Sequence, residues 1–372
     1  MTKVCHITSA HESNDVRIFC KECTSLARAG YDVYLVAQGE SREENGVHVI
    51  GVGQKPTKRL ARMSSFSRRI YIAAKEVDAQ IYHFHDPELL PWGLKLARQG
   101  KTVIFDSHEH TAGTILEKYW LPAPTRRLVY SLFCWYQAYA CRRLTAIVAA
   151  TPHVQEYLSQ YNANTILVTN YPVLKESQPV QENYNRAIVF AGGISDQWMH
   201  ESILHALERI PDCRYVLCGW GDNEYLSRLQ SLQGWKQTDY LGKIPHKEVI
   251  KQMASCAVGV ALLRPGNNTD WLNGTMSNTK IFEEMQAGLP VVCTNFVLWR
   301  EFVERWHCGI CVNPKNVDEI TAAIQYLLDH PEEARQMGEN GRRAVKEEFN
   351  WGIEEKKLLE LYDRLCKDIN IS

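Results

Sequence analysis

Short apolar runs alternate with longer stretches of helical periodicity along the whole chain. KVCHITS, YDVYLVA, IYHFH, KTVIFDS, TAIVAAT and TILVTN read as strands, each but the last followed by a candidate helix. After Asn170 the stretch YPVLKESQPVQENYNR, residues 171–186, is polar, proline-marked and aperiodic, which predicts a linker. A second series of strands follows, AIVFAGG, RYVLCG, TDYLG, CAVGVALL, LPVVCT and CGICVNP, again with helices between. The pattern predicts an α/β chain of two doubly wound, Rossmann-like parallel-sheet domains, residues 1–170 and 187–350. Near the end, Pro331 to Phe349 and Trp351 to Ile369 read as helices, the second with Leu358, Leu361, Tyr362, Leu365 and Ile369 on one stripe.

Composition fits this picture: 372 residues, 45% hydrophobic and 23% charged, are enough for two separate cores. No run approaches the roughly 18 uninterrupted apolar residues of a membrane span. MTKVCHITSA reads as a first strand rather than a signal peptide, so a cytoplasmic chain is expected. The 12 cysteines are scattered through apolar segments, as in RYVLCG and VVCT, where a reduced thiol is a small hydrophobe. Cys20/Cys23 and Cys308/Cys311 have CxxC spacing, but neither has a second pair or a His at zinc spacing.

The net charge of −1 hides an asymmetry, because Lys55 to Lys75 holds seven basic residues and no acidic one. That segment is either a solvated helix face or a basic surface for anionic lipid or a phosphate-bearing acceptor. RRLVYSLFCWYQAYACRR is a second candidate surface, although aromatic stripes of this kind are more often core. Nucleic acid is not an expected partner.

The most informative stretch is SNTKIFEEMQAGLPVV, Ser277 to Val292. Gly274, Thr275, Met276 and Ser277 form a flexible approach, Ser277 is a suitable N-cap, and Asn278 to Ala287 read as a helix ended by Gly288 and Pro290. Its first turn directs unpaired N–H groups and the positive dipole end at whatever lies before it, most usefully a phosphate. Lys280 adds a full charge, and Glu283 on the same face can accept hydrogen bonds from a diol such as ribose. With Glu283, Met285, Gly288, Pro290 and Val291 matching E-x-M-x-x-G-x-P-V, the string resembles the C-terminal signature of family 4 (group 1) glycosyltransferases. The resemblance extends over nearly the whole chain.

It implies the GT-B architecture, two Rossmann-like domains facing a central cleft, with a last helix at about 351–372 crossing back to the first domain. It also implies a nucleotide-sugar donor in the second domain, a saccharide or lipid-linked acceptor in the first, and retention of anomeric configuration. In that mechanism the leaving diphosphate helps to deprotonate the acceptor. Bacterial surface polysaccharide assembly is the implied setting, with uridine the default base. Gly242, Lys243, Ile244 and Pro245 match the segment that flanks the base, with Ile244 covering it.

Polar residues just after strands carry the remaining chemistry. HITSAHESNDVRIF offers His11, Asp15 and Arg17 where relatives have a glycine-rich turn, and HFHDPELLP offers His83, His85, Asp86 and Glu88; of these, His11, Asp15, Arg17, His85 and Asp86 are the candidates for binding the acceptor. FDSHEH offers Asp106, His108, Glu109 and His110, and AGGISDQW opens the second domain with Gly192 and Gly193. The resemblance places His108 against the donor sugar; Asp86 and Glu109 are candidates for acceptor positioning, and Asp86 is equally an N-cap candidate. No HExxH or DxD spacing occurs and the family needs no metal, so no cofactor or metal is expected.

Two departures stand out. Thr275 occupies the first position of the family's Glu-x7-Glu pair, and GGISDQW lacks the usual Arg and Lys, for which Arg264 and Arg300 are candidate substitutes. A sugar-nucleotide epimerase and a non-catalytic sugar-nucleotide sensor remain alternatives; a dehydrogenase is disfavoured because no G-x-G-x-x-G follows the first strand.

Overall fold

The computed structural model describes residues 1–118, 122–175 and 185–371. The chain folds as two compact units, Met1–Asn170 with Trp351–Ser372, and Tyr171–Asn350. Most of the expected linker, residues 176–184, lies outside the described residues.

The first unit is built on eight strands: β1 (Lys3–Ile7), β2 (Asp32–Ala37), β3 (Arg42–Glu44), β4 (Val47–Gly51), β5 (Ile81–Phe84), β6 (Thr102–Ser107), β7 (Ala146–Ala149) and β8 (Thr165–Leu167). Their order is β3-β4-β2-β1-β5-β6-β7-β8, parallel throughout except for β3 against β4. The β3–β4 hairpin adds two strands to those read from hydrophobic runs. Its turn is Asn45-Gly46, both at positive φ (55° and 74°), a hairpin signal that the sequence printed plainly.

Alternation along the strands feeds two cores. Cys5 and Ile7 pack with Phe66, Ile70, Leu94 and Cys141 on one side of the sheet. Val4 and Val33 pack on the other with Ile18, Leu26, Leu358, Leu361, Tyr362 and Leu365. The last helix, Trp351–Ile371, therefore belongs to this unit: Trp351 donates its indole N–H to Ser25 Oγ at 2.9 Å, and Glu354 accepts from the Thr169 amide at 2.7 Å.

The basic stretch is not one helical face. It breaks into Arg59–Ala61, a π-helical turn Arg62–Phe66 and the helix Ser67–Val77. Arg62 pairs with Glu88 at 2.7 Å, Lys55 donates to the Ala10 carbonyl at 2.7 Å, and Arg69 bonds the Val52 carbonyl. Those three cations are tied to their own unit.

The second unit has six parallel strands: β9 (Ala187–Ala191), β10 (Arg214–Cys218), β11 (Thr238–Gly242), β12 (Val258–Ala261), β13 (Val291–Thr294) and β14 (Gly309–Val312). They are ordered β11-β10-β9-β12-β13-β14. The order reverses direction at β9, so the loops after β9 and β12 part there and leave a crevice at the strands' carboxyl ends. No described helix is long and apolar enough to cross a membrane.

Candidate functional site

At the carboxyl ends of β9 and β10 the second unit closes on itself through glycine. Gly192 has φ +155° and Gly219 φ +142°, and a Cβ on Gly219 would stand 1.8 Å from the Gly192 carbonyl oxygen. A Cβ on Gly192 would stand 2.0 Å from Cε of Lys280, so only glycine lets the lysine side chain lie across that turn. The resulting cleft of about 290 Å³ is lined by Gly192, Gly193, Lys243, Ile244, Lys280 and Glu283, with Trp220 and His246 also on its wall.

The helix Thr279–Ala287 starts in this cleft. Asn278, one residue later than the expected Ser277, is the N-cap: its side chain accepts from the Lys280 amide at 3.4 Å. The Ser277 hydroxyl instead meets the Thr275 hydroxyl at 3.2 Å. Gly288 ends the helix in the left-handed region at φ +83°.

Lys280 Nζ sits 4.5 Å from the centroid of Trp198, a partner the sequence reading missed. Burial pushes the ammonium's pKa down, and Glu283 and Glu284 oppose that shift. A desolvated cation with an aromatic face behind it is poised to gain from an anion in front of it. Glu283 lies 3.4 Å from His246 Nε2. Glu284 points the other way, fully buried, with its carboxyl group pushed well up by burial; it rests against Gly259 of β12, where a Cβ would come within 2.7 Å of its Oε2.

Several expected contacts are displaced. Thr275 is buried, and its carbonyl accepts from the Trp299 indole at 2.7 Å; Met276 packs against the core. Both fix the helix's approach rather than line the cleft. Arg264 is committed to Asp196 at 2.9 Å, and Arg300 bonds Asn295 at 3.2 Å and lines a different cavity with Lys315. The second cation beside Lys280 is Lys243, at the end of β11, so neither arginine fills the place left by GGISDQW.

The first unit carries a buried polar chain. A π-helix, Val16–Cys23, capped by Asp15 through the amides of Arg17 and Ile18, projects Arg17 and Glu22 inward. Arg17 is buried and forks onto Asp106 at 2.9 and 2.8 Å, donates to the Val168 carbonyl at 2.9 Å, and lies 3.1 Å from Glu22. Asp106 in turn meets His108 Nε2 at 2.8 Å and His85 Nδ1 at 3.1 Å; His85 Nε2 meets His6 Nδ1 at 2.9 Å. Tyr362 joins His6 at 3.3 Å and His83 at 2.9 Å.

Burial alone would raise the carboxyl pKa of Asp106, but Arg17, His108 and His85 hold it well below the usual range. Burial, followed by the charge of Asp106, pushes Glu22 well above it. The pair thus keeps its negative charge on Asp106 and its proton on Glu22. His6, Glu22, His83 and His85 form one group with the composition of a metal site, and His85, Asp106 and His108 a second.

These contacts correct three assignments. Arg17 and His85 are buried and committed internally, so neither reaches an acceptor directly. Asp86 is buried too: its carboxylate accepts from Thr8 Oγ1 at 2.8 Å and from the Ser9 and Ala10 amides at 2.6 and 3.1 Å, shaping the loop after β1 without capping the next helix. His11 and His108 stay partly accessible, their ring centroids 5.0 Å apart, and Glu109 is exposed. His11 lies between Asp15 at 3.3 Å and Asp86 at 3.5 Å; burial opposes its protonation, but the carboxylates prevail and raise its pKa.

The buried imidazoles make stability depend on pH. Burial lowers His85 to about 4 and His200 to about 3, and His6 and His83 fall well below 6.5. A base depressed in the fold contributes stability that is full above its unfolded pKa, near 6.5, and is lost as pH falls toward the folded value. His85 alone accounts for about 3 kcal/mol across that window. Glu22 and Glu284, raised in the fold, oppose this loss as pH falls, so the test is a difference: urea unfolding at a series of pH values should show a smaller stability loss between pH 6.5 and 4 in His200→Phe than in wild type, and identical losses would contradict the neutral assignment of His200.

Comparison with known proteins now decides the family. Residues 19–170 match the model for glycosyltransferase family 4, and residues 174–344 match glycosyl transferases group 1. The chain belongs to the family 4, group 1 glycosyltransferases. Its fold is GT-B. The glycosyltransferase is 36% identical over 83 residues to an MMP alpha-(1->4)-mannosyltransferase of Mycolicibacterium hassiacum, covering 22% of this chain and 20% of that one. It is 22% identical over 198 residues to an uncharacterised glycosyltransferase of Methanocaldococcus jannaschii, 51% of this chain and 48% of that one. It thus spans half or less of the length of these curated relatives.

Among solved structures, sucrose-phosphate synthase from Thermosynechococcus elongatus superposes with TM-score 0.78 at 17% identity, covering 99% of this chain and 100% of that one. Anabaena Alr3699/HepE in complex with UDP-glucose gives 0.72 at 15% identity, 98% and 100%. WaaG, a glycosyltransferase involved in lipopolysaccharide biosynthesis, gives 0.70 at 13%, 96% and 98%.

Proposed function

We propose that this glycosyltransferase moves a sugar from a nucleoside diphosphate donor, UDP by preference, to a saccharide or lipid-linked acceptor with retention of configuration. The observation that carries the proposal is the Gly192–Lys280 cradle at the start of the helix Thr279–Ala287. A half-buried ammonium and the helix's N-terminal N–H groups suit a diphosphate. Ile244 and Trp220 suit a base beside it, and Glu283 at the same wall suits a ribose diol. The UDP-glucose complex of the Anabaena relative supports the choice of base.

Residues Tyr171–Asn350 then form the donor half, and in the other unit the accessible His11, Asp15, His108 and Glu109 are the residues available to an acceptor. Transfer is proposed to proceed without a metal, because Lys280 and Lys243 supply the positive charge and Glu283 is the one carboxylate lining the cleft among the described residues. The WaaG likeness supports a role in bacterial surface polysaccharide assembly, in the cytoplasm against an anionic membrane face.

Incubation with nucleotide sugars and saccharide or lipid-linked acceptors, followed by NMR, tests the activity. Product should form only when acceptor is present; donor converted to its epimer without acceptor would replace this reading by the epimerase one. Glu283→Gln should raise the donor KM with a loss of about 1.5 to 3 kcal/mol, the range for a charged acceptor on a hydroxyl. An unchanged KM would remove Glu283 from the diol.

A further inference from the structure

The helix Ala123–Cys141 leaves bulky apolar side chains in water. Its inward face is fixed by Gln137, Ala138, Ala140 and Cys141, all buried. On the opposite face, at steps of four, three and four residues, lie Leu128, Leu132, Trp135 and Tyr139. Leu128, Leu132 and Trp135 are 60%, 58% and 68% exposed, and Val129 beside them is 40% exposed. Trp135 stacks on Tyr139 with centroids 6.1 Å apart, and the Arg143 guanidinium lies 3.7 Å from the Tyr139 centroid.

Along the helix itself the charge has a single sign. No acidic residue occurs from Ala123 to Arg143, while Arg126 and Arg127 stand at one end and Arg142 and Arg143 at the other.

Two occupants could cover an apolar face of this size. A second copy paired through it by a two-fold axis would set one copy's arginines against the other's, an unfavourable arrangement. An anionic bilayer offers what the face lacks: acyl chain for Leu128, Leu132 and Trp135, and phosphates for the flanking arginines.

We propose that the outward face of the helix Ala123–Cys141 seats this protein on an anionic lipid surface. This moves the principal membrane contact away from the Lys55–Lys75 helix face, where Arg62, Arg69 and Lys55 bond internally. The surface is separate from the nucleotide cleft, so it stands or falls independently of the transfer reading.

Co-sedimentation with phosphatidylcholine vesicles, with and without phosphatidylglycerol, tests it. Wild type should pellet with the anionic vesicles and be released by high salt. Leu132→Ser/Trp135→Ser and Arg127→Glu/Arg143→Glu should each weaken the partition about tenfold or more. Circular dichroism and the UDP-induced thermal shift of both variants should match wild type, which separates lost binding from lost folding. Wild type remaining in the supernatant, or both variants pelleting like wild type, would overturn the proposal. A wild-type dimer by light scattering that Leu132→Ser/Trp135→Ser turns into a monomer would assign the face to a second copy and overturn it too.

Discussion

Lys280→Ala is expected to lower kcat/KM for transfer by about 10²-fold or more while leaving the fold intact. The side chain lies over Gly192, backed by Trp198 at 4.5 Å, so its charge is held in place before the donor arrives. Preorganised charge of this kind acts where the leaving diphosphate gains negative charge, and losing one well-placed donor costs about 3 to 4 kcal/mol. Lys280→Arg should rescue little, because the turn already places the Gly192 backbone against the lysine stem, and a planar guanidinium needs more room than an ammonium. Near-normal turnover by Lys280→Ala, measured with saturating acceptor, would refute the assignment.

Arg17→Ala is expected to have the largest effect on stability. The substitution removes the bidentate partner of Asp106 and the nearest cation to Glu22, leaving a buried carboxylate uncompensated. Breaking a buried pair from one side costs about 3 to 5 kcal/mol, a large part of the stability of an ordinary domain. Asp106→Asn combined with Arg17→Met should recover part of the loss, since replacing both charges removes the unpaired one. Chemical denaturation of the three proteins reads this directly; a single variant as stable as wild type would show that the ion pair does not hold the π-helix Val16–Cys23 in place. Because Asp106 also bonds His108, the single variant should lose activity even at temperatures where it remains folded.

Much of the architecture was legible because parallel strands announce themselves as apolar runs and helices by their period. The second unit's six strands match the six runs read from the sequence, and Gly288 closes the signature helix where expected. The hairpin Arg42–Gly51 escaped because its strands are polar and short, although Asn45-Gly46 marked it. The N-cap moved from Ser277 to Asn278 because Ser277 is held by Thr275, a competition between neighbouring hydroxyls that propensity does not encode.

The site was legible where chemistry is local in sequence, and obscure where it depends on convergence. Lys280 and Glu283 share a helix face, and both line the cleft. Trp198, Trp220 and Lys243 come from three different loops, and nothing in their spacing links them. In the first unit, Arg17, His85 and Asp86 look like free functional groups when read one at a time. Their burial follows from the strand and π-helix that carry them, and His6 and Glu22 complete the cluster from positions that read as plain core. A polar residue inside an apolar strand, as His6 is in KVCHI, was the available signal.

The central claim is that the second unit's cleft holds a nucleoside diphosphate through Lys280. Thermal unfolding of wild type and Lys280→Ala with UDP, GDP, ADP and their sugar conjugates tests it most directly, because a ligand at 100 times its Kd stabilises by about 2.7 kcal/mol. The account predicts that at least one diphosphate, UDP first, raises the wild-type midpoint and that Lys280→Ala loses most of the shift. No shift with any of the three nucleotides, or an equal shift in Lys280→Ala, would contradict it.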